Sequence, residues 1–366
     1  MSESESALAQ KLAAALAYRE DRNIRRRLPD PSLSLFTSST SRTITTAVPF
    51  TEAAITAAIT PTPPPPPEFA PVDFSSNDYL SLSTSPLLRT RVLAALHSSP
   101  AILGSGGSRL LVYNHAHALL EARLARTFRS PAALLFNSGF DANAGFFACV
   151  PQPGDAILHD QAIHASVHDG ARASRIAACM RRSFAHNDVR ALRAALCALR
   201  NEHTALREAK CSVFVAIESV YSMDGTVAPL RAIIDTMRDV FPAGNAYLVV
   251  DEAHATGLYG PRGRGMVAQL GLEDCVLARL HTFGKALAAS GGTYLYILVR
   301  ISAELVRTAV LLTNTLIRDY LLNYARPLIY TTSLSNAAII AASCSFDLLE
   351  DGTAEKVRIL ALSSSV

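Results

Sequence analysis

The sequence predicts an α/β fold, a mainly parallel sheet covered by helices on both faces. Three observations carry that expectation. Short apolar runs at Ala132–Phe136, Ala156–Leu158, Val213–Ile217 and Tyr247–Val250 alternate with helical stretches at Leu119–Phe128, Asp188–Ala205 and Leu230–Val240. The runs are continuous in hydrophobicity, which is how strands read when both faces of a parallel sheet are buried. With 366 residues, 49% of them hydrophobic and 18% charged, the chain has the apolar surface for a sizeable core, so disorder is excluded as its main state.

In chain order, residues 7–27 place Leu8, Leu12, Leu16 and Ile24 on one helical stripe with charges opposite, and an amphipathic helix is expected to end at Pro29. The Ser/Thr-rich segment Thr37–Pro71, with its proline run Pro63–Pro67, favours a polyproline excursion and is expected to be a surface insertion. From Asp73 the strand and helix alternation begins. Gln161–Ala173 is expected to be helical. Late in the chain, Tyr294–Leu312 is the most apolar stretch, but Arg300, Glu304 and Arg307 interrupt it, so a buried or interfacial helix is expected in place of a membrane span.

Charge and cysteine usage remove further classes of function. The net charge of +3 arises from 34 basic and 31 acidic residues mixed along the chain, which leaves no electrostatic footprint for nucleic acid or an anionic membrane, and a small-molecule partner is expected. The six cysteines, Cys149, Cys179, Cys197, Cys211, Cys275 and Cys344, form no C-x-x-C pair and read as reduced core thiols, neither zinc ligands nor a disulfide framework. Glu3, Glu5, Glu20 and Asp21 give the N-terminus neither a secretory nor a mitochondrial pattern, so a cytoplasmic location is expected, with a peroxisomal one if a C-terminal address is missing.

In open α/β sheets ligands bind outside the carboxyl ends of the strands, so chemistry is sought in the residues that follow each apolar run. Asn137–Phe140 follow the first, Glu218–Gly225 a later one, and Asp251–His254 the last. The letters Asp251-Glu-Ala-His254 also occur in NTP-driven motors, but no phosphate-binding G-x-x-x-x-G-K-[ST] precedes them. A carboxylate at the end of a buried strand can instead hold a heteroaromatic cation while His254 reaches a ring substituent; a carboxylate capping the next turn is the other reading. Lys285, in the small and apolar stretch Thr282–Gly292, is placed where desolvation makes an amine a Schiff-base nucleophile, unless it is an ordinary surface lysine. Gly104–Arg109 is glycine-rich enough to approach an anion closely, yet follows no apolar strand and reads equally as a flexible turn. His164 and His168 have i,i+4 spacing without the glutamate of H-E-x-x-H, so no metal is expected, and an imidazole stacked on a flat cofactor is preferred.

Taken in order, eight stretches, Phe74–Leu80, Gly104–Arg109, Asn137–Phe140, His164–Ser166, Glu218–Gly225, Asp251–His254, Thr282–Lys285 and Tyr330–Ser333, resemble the α-oxoamine synthase family of pyridoxal-phosphate (PLP) enzymes. The resemblance covers Phe74–Leu334 and is nearest to the oxononanoate-forming branch. It implies a type I PLP-dependent transferase fold, aspartate aminotransferase-like, working as a homodimer with sites at the subunit interface. It implies domains at 1–72 (helix and insertion), 73–328 (large PLP-binding α/β domain) and 329–366 (the start of a small C-terminal domain).

By position the resemblance makes Lys285 the Schiff-base lysine and proton carrier, Asp251 the partner of the pyridine nitrogen, His254 the contact to the ring hydroxyl and His164 the imidazole stacked on the ring. Gly139, Phe140 and Thr282 fall near the phosphate, Ser222 in the cofactor pocket, and Thr331 and Thr332 in a segment that reaches the phosphate from the other subunit. Asn77 and Arg25 match substrate contacts, although Arg25–Arg27 read equally as a solvated helix end. The implied reaction is the decarboxylative condensation of L-alanine with an acyl-CoA, pimeloyl-CoA, to 8-amino-7-oxononanoate in biotin biosynthesis. Synthases joining glycine or serine to another acyl-CoA, or a truncated non-catalytic partner protein, are the alternatives. Against the family, residues 293–308 read as an insertion, and the chain stops after Ser363–Val366, so no residue takes the role of the family's carboxylate-binding arginine.

Overall fold

The computed structural model describes residues 17–23, 76–111, 114–296 and 316–353. The chain divides into two compact units, Met1–Ser75 and Ser76–Val366. In the first unit residues 17–21 are helical, and the Arg22 guanidinium lies 4.8 Å from the Tyr18 ring centroid. The remainder of the expected amphipathic helix, Arg25 and the proline run lie outside the described residues.

Among its described residues the second unit is built on seven strands: β1 (Ala132–Phe136), β2 (Ala156–Asp160), β3 (Arg181–Phe184), β4 (Val213–Glu218), β5 (Ala246–Asp251), β6 (Ala278–Thr282) and β7 (Gly292–Tyr296). Their order in the sheet is β1-β7-β6-β5-β4-β2-β3. Every pairing is parallel except those of β7, which runs antiparallel to both β1 and β6. The expected mainly parallel sheet is thus present. Its pleat feeds two cores, because alternate side chains leave a strand on opposite faces. On β1, Leu134 and Phe136 enter one core with β2, β4 and β5, while Ala133 and Leu135 enter the other.

Helices α1 (Pro86–Ser98), α2 (His115–Thr127), α3 (Gly139–Cys149), α4 (Ala165–Ala173), α5 (Val189–Glu202), α6 (Leu230–Val240) and α7 (Asn336–Glu350) cover the two faces. Leu88 of α1, Leu120 and Leu124 of α2 and Ile339 and Phe346 of α7 share one core; α3 to α6 supply the other. Most starts are set by a side chain that accepts an otherwise unpaired backbone N–H. Asn114 accepts from Ala116, Ser138 from Asp141, Asp188 from Arg190 and Ala191, and Ser335 from Ala338.

Several expectations are corrected in detail. The helix expected at Asp188–Ala205 starts at Val189 because Asp188 is its cap, and the one expected from Gln161 begins at Ala165 because His164 caps it with extended backbone. Residues 293–296, read as the start of an insertion, are β7 of the sheet; 297–315 lie outside the described residues. Of the six cysteines, all free, Cys149 and Cys344 are buried core thiols, Cys197, Cys211 and Cys275 are half-buried, and Cys179 is exposed. Among the described residues no helix is long and apolar enough to cross a membrane.

Glu252 locks the strand ends to the loop beyond β5. It is fully buried, and it accepts from Ser219 Oγ at 2.8 Å, Met266 N at 2.9 Å and Val267 N at 2.7 Å. Gly265, with φ of +92°, is obligatory beside it, since an added Cβ would lie 2.5 Å from Glu252 Oε2. Glu252→Ala leaves these buried donors unmatched, at about 1–3 kcal/mol each. Chemical denaturation is expected to show a drop of several times RT in stability, with Glu252→Gln milder because it keeps an acceptor oxygen.

Candidate active site

A cavity of about 490 Å3 opens at the carboxyl ends of the strands, with Gly139, His164, Glu218, Asp251, Thr282 and Lys285 in its walls. The sheet register explains the meeting of distant residues. Glu218, last in β4, pairs directly with Asp251, last in β5, so two carboxylates stand side by side. Thr282 ends β6, and Lys285 follows in the turn to β7.

One end of the cavity is suited to an anion. Helix α3 begins there, its first turn presenting the N–H groups of Gly139 and Phe140 at the positive end of the helix dipole. Thr282 Oγ1 is buried and has no hydrogen-bond partner among the described residues. Gly139 must lack a side chain: a Cβ there would collide with Thr282 Cγ2. The close approach of helix and strand therefore depends on that glycine.

The other end is anionic and buried. Asp251 is only 6% exposed; its Oδ1 accepts from Ala253 N at 2.9 Å and its Oδ2 from Asn143 Nδ2 at 2.8 Å. Asn143 Nδ2 also donates to Ser166 Oγ at 3.0 Å, and Ser166 Oγ lies 2.7 Å from His164 Nδ1. His164 Nδ1 further accepts from Ser166 N at 3.2 Å, which leaves Nε2 as the protonated nitrogen. One amide thus fixes both the Asp251 carboxylate and, through Ser166, the His164 ring, with which Phe140 makes a T-shaped contact at 6.2 Å between centroids.

His254 lies on the opposite side of the network. The Tyr79 hydroxyl donates to Asn77 Oδ1 at 2.9 Å and sits 2.8 Å from His254 Nδ1. With its one proton directed at Asn77, Tyr79 accepts from Nδ1, and Nε2 of His254 is the free acceptor. Burial, reinforced by the charge of Lys285, pushes His254 down to about 4, so the ring is neutral at pH 7.

Burial pushes the Lys285 amine down as well, against the opposing pull of Asp251 and Glu218. Glu218 is pushed up to about 8, first by burial and then by the Asp251 charge, with Ser222 N and Lys285 acting the other way. Its Oε2 accepts from Ser222 N at 3.3 Å, while Oε1 is buried without a partner among the described residues. A carboxyl group whose folded pKa is raised favours folding below its unfolded pKa and loses that contribution as pH rises through the folded value. In the cofactor-free protein, the melting temperature of the wild type is therefore expected to fall relative to Glu218→Gln between about pH 5 and 8, and parallel curves would refute the assignment.

Of the residues expected from sequence, Gly139, Phe140, His164, Asp251, His254, Thr282 and Lys285 meet at this cavity. Asn77 is joined to it through Tyr79. Ser222 is exposed and touches the site only through its backbone bond to Glu218. Thr331 and Thr332 lie against Asn137 of the same chain, whose Nδ2 donates to the Thr332 carbonyl at 2.6 Å. The Gly104–Arg109 loop does not line the cavity; Arg109 sits on Glu121 at 2.5 Å and the Gly107 carbonyl accepts from Ser333 N. Arg25 lies outside the described residues. Sequence reasoning missed Asn143, and it marked the stretch Glu218–Gly225 without giving the second carboxylate, Glu218, a role. Their signals were a lone amide in the apolar helix Gly139–Cys149 and a glutamate ending the run Val213–Ile217.

Residues 70–365 match the model of the family described as aminotransferase class I and II. An 8-amino-7-oxononanoate synthase from Emericella nidulans is 48% identical over 290 residues, covering 78% of this chain and 66% of the relative. The aminoacyl transferase sphA of Aspergillus fumigatus is 39% identical over 289 residues, covering 78% of this chain and 57% of its own. Among solved structures, a serine palmitoyltransferase from Sphingomonas wittichii superposes with a TM-score of 0.62 at 27% identity, covering 75% of this chain and 60% of that one. An 8-amino-7-oxononanoate synthase from Francisella tularensis does so with 0.55 at 25% identity, covering 76% and 69%. The chain thus spans between about three fifths and two thirds of the length of most of these relatives.

Proposed function

The chain belongs to the class I and II aminotransferase family, whose cofactor is pyridoxal 5'-phosphate, and has the type I PLP-dependent transferase fold; from that premise we propose that it is an acyltransferase condensing L-alanine with pimeloyl-CoA to 8-amino-7-oxononanoate. The observation that supports it most is the convergence of Lys285, the Asp251 carboxylate and the partnerless Thr282 hydroxyl in one cavity. These residues fit the cofactor group by group. The α3 N-terminus and Thr282 would take its phosphate, Asp251 its pyridine nitrogen, neutral His254 its ring hydroxyl, and His164 the face of the ring.

When bound, PLP supplies an electron sink for the pair left at the amino acid's Cα. The remaining work falls to the chain. Lys285, depressed by burial, is uncharged in a larger fraction than an ordinary lysine, so it would hold the cofactor at its carbonyl end and would serve as carrier of the Cα proton. Asp251, oriented by Asn143 and Ala253, would hold a proton on the pyridine nitrogen. His164, clamped by Ser166, would lie against the face of the ring. Overall, the alanine Cα–carboxylate bond and the thioester bond break, a Cα–acyl bond forms, and CO2 and CoA leave.

The same reading makes the protein a cytoplasmic homodimer, with Thr331 and Thr332 reaching the partner's phosphate end and Asn77, Arg25 and Ser222 completing the site. It divides the chain into 1–72, the cofactor-binding 73–328 and the small-domain start 329–366. A sister reaction, with serine or glycine and a longer acyl-CoA, is favoured by the similarity to sphA and to serine palmitoyltransferase. Mass spectrometry of products from each amino acid paired with pimeloyl-CoA and with palmitoyl-CoA tests the choice. Alanine with pimeloyl-CoA is expected to turn over at least tenfold faster than any other pair, and preference for serine with palmitoyl-CoA would overturn it. Absence of product from every pair would favour a non-catalytic partner protein.

A further inference from the structure

A second cavity, of about 790 Å3, lies away from the strand carboxyl ends, and arginines dominate its walls: Arg123, Arg126, Arg129, Arg262 and Arg264, with Glu350 as the one carboxylate among the described residues. The topology places it at the other edge of the sheet. Arg129 precedes β1, and the carbonyl of neighbouring Phe128 accepts from Arg279 near the start of β6 at 2.7 Å. The catalytic cavity lies where those two strands end.

The charges in this cavity are not balanced within the described residues. Arg123 is committed to Asp347 at 2.7 Å and Glu350 at 2.8 Å, and Glu350 also binds the Thr127 hydroxyl. Arg264 donates through Nε to the Pro261 carbonyl at 3.1 Å. Arg126, Arg129, Arg262 and Arg264 have no carboxylate within ion-pair distance among the described residues. Their crowding is felt: Arg264 is held below the usual guanidinium range by burial and then by Arg129, with Glu273 opposing and Arg262 adding to it.

Backbone conformation points the same way. Arg129 and Arg262 both adopt left-handed φ, +52° and +54°, a region costly for residues with a Cβ. Glycine would serve the chain better at each turn, yet both positions place a guanidinium on the rim of one cavity. Strain of that kind persists where the surrounding structure holds it, and it clusters at ligand sites.

We propose that this cavity is a binding site for a diphosphate, its two phosphate groups held between the α2 end, Arg126 and Arg129, and the turn carrying Arg262 and Arg264. The guanidinium fork matches paired phosphate oxygens, and several unneutralised forks around one concavity favour adjacent phosphates over a single one. The volume falls in the range of small-molecule sites, roughly 300–1,000 Å3. The site is separate from the proposed catalytic one; only the blocking of the first cavity in the test below rests on that reading.

The test uses the full chain loaded with PLP and reduced with borohydride, so that the phosphate end of the first cavity is filled. Titration calorimetry with inorganic pyrophosphate, ADP and orthophosphate compares the wild type, Arg129→Gly/Arg262→Gly, and Arg193→Ala as a control at an exposed arginine paired with Asp239. The glycines remove charge while relieving the left-handed strain, which guards folding. Saturable pyrophosphate binding is expected, at least tenfold weaker in the double variant, unchanged in the control, and stronger than orthophosphate. Tighter binding of ADP would identify a nucleotide as the source of the diphosphate, and tighter pyrophosphate the free anion or a simple ester. If the double variant loses its far-ultraviolet signal, Arg126→Gln alone is expected to weaken binding at least threefold. No saturable binding, or binding indifferent to these arginines, overturns the proposal.

Discussion

Lys285→Ala is expected to abolish the visible absorbance band that PLP acquires with the wild-type protein, the change in that band on adding L-alanine, and at least about 10³-fold of turnover. The size of the effect follows from the placement of the amine. Lys285 lines the cavity, whereas Lys210, the other lysine among the described residues, is exposed and paired with Glu208 at 2.8 Å. Random condensation of PLP with a surface amine would survive the substitution; binding at Lys285 would not. Lys285→Arg sharpens the test, because a guanidinium preserves positive charge beside Asp251 and Glu218 but stays protonated and cannot bond a carbonyl carbon. Loss of the band in both variants, with unchanged melting of the cofactor-free protein, separates the nucleophile from a merely structural cation. A band that persists in Lys285→Ala would remove the catalytic role assigned here.

The parts of this fold that were legible in the sequence are those whose signal is local. β1, β2, β4 and β5 are apolar runs with every central side chain buried, and a buried strand can hardly be written otherwise. β6 was missed because its residues are Ala-Arg-Leu-His-Thr, yet all five are buried. Arg279 pays for its place with a bond to the Phe128 carbonyl, and His281 with one to Thr256 Oγ1 at 2.8 Å, partners far away in sequence. β7 was hidden for a different reason: its pairing with β1 is antiparallel and long-range, and comparison of motif spacing made its residues look superfluous.

The site divides in the same way. Residues in distinctive company, Lys285 among glycine and alanine or Asp251 ending a strand, could be picked out singly. What the chain order could not show is that Glu218 and Asp251 are cross-strand neighbours, or that Asn143 bridges Asp251 to Ser166, because register and the crossing of α3 over the strand ends decide both.

Asp251→Asn decides between the two readings that its sequence context leaves open, a turn cap or the partner of a cationic ring. Asparagine caps as well as aspartate and is its near isostere, so a capping role predicts little change in melting or in turnover. A role in holding a pyridinium proton predicts a loss of about 10²–10³-fold in kcat, since the amide cannot take the place of the negative charge. The neighbouring groups supply a second readout. Removing the anion relieves Glu218 of the repulsion that helps raise it and deprives Lys285 of a charge that favours its protonated form, so both groups shift to lower pKa. The limb of the pH–rate profile that reports deprotonation of the amine is then expected to move to lower pH even as the plateau falls. Asn143→Ala leaves Asp251 its charge and the bond from Ala253 N, so it is expected to cost about tenfold, with the limb in place. Turnover within tenfold of the wild type for Asp251→Asn, with an unmoved limb, would return Asp251 to the role of a cap.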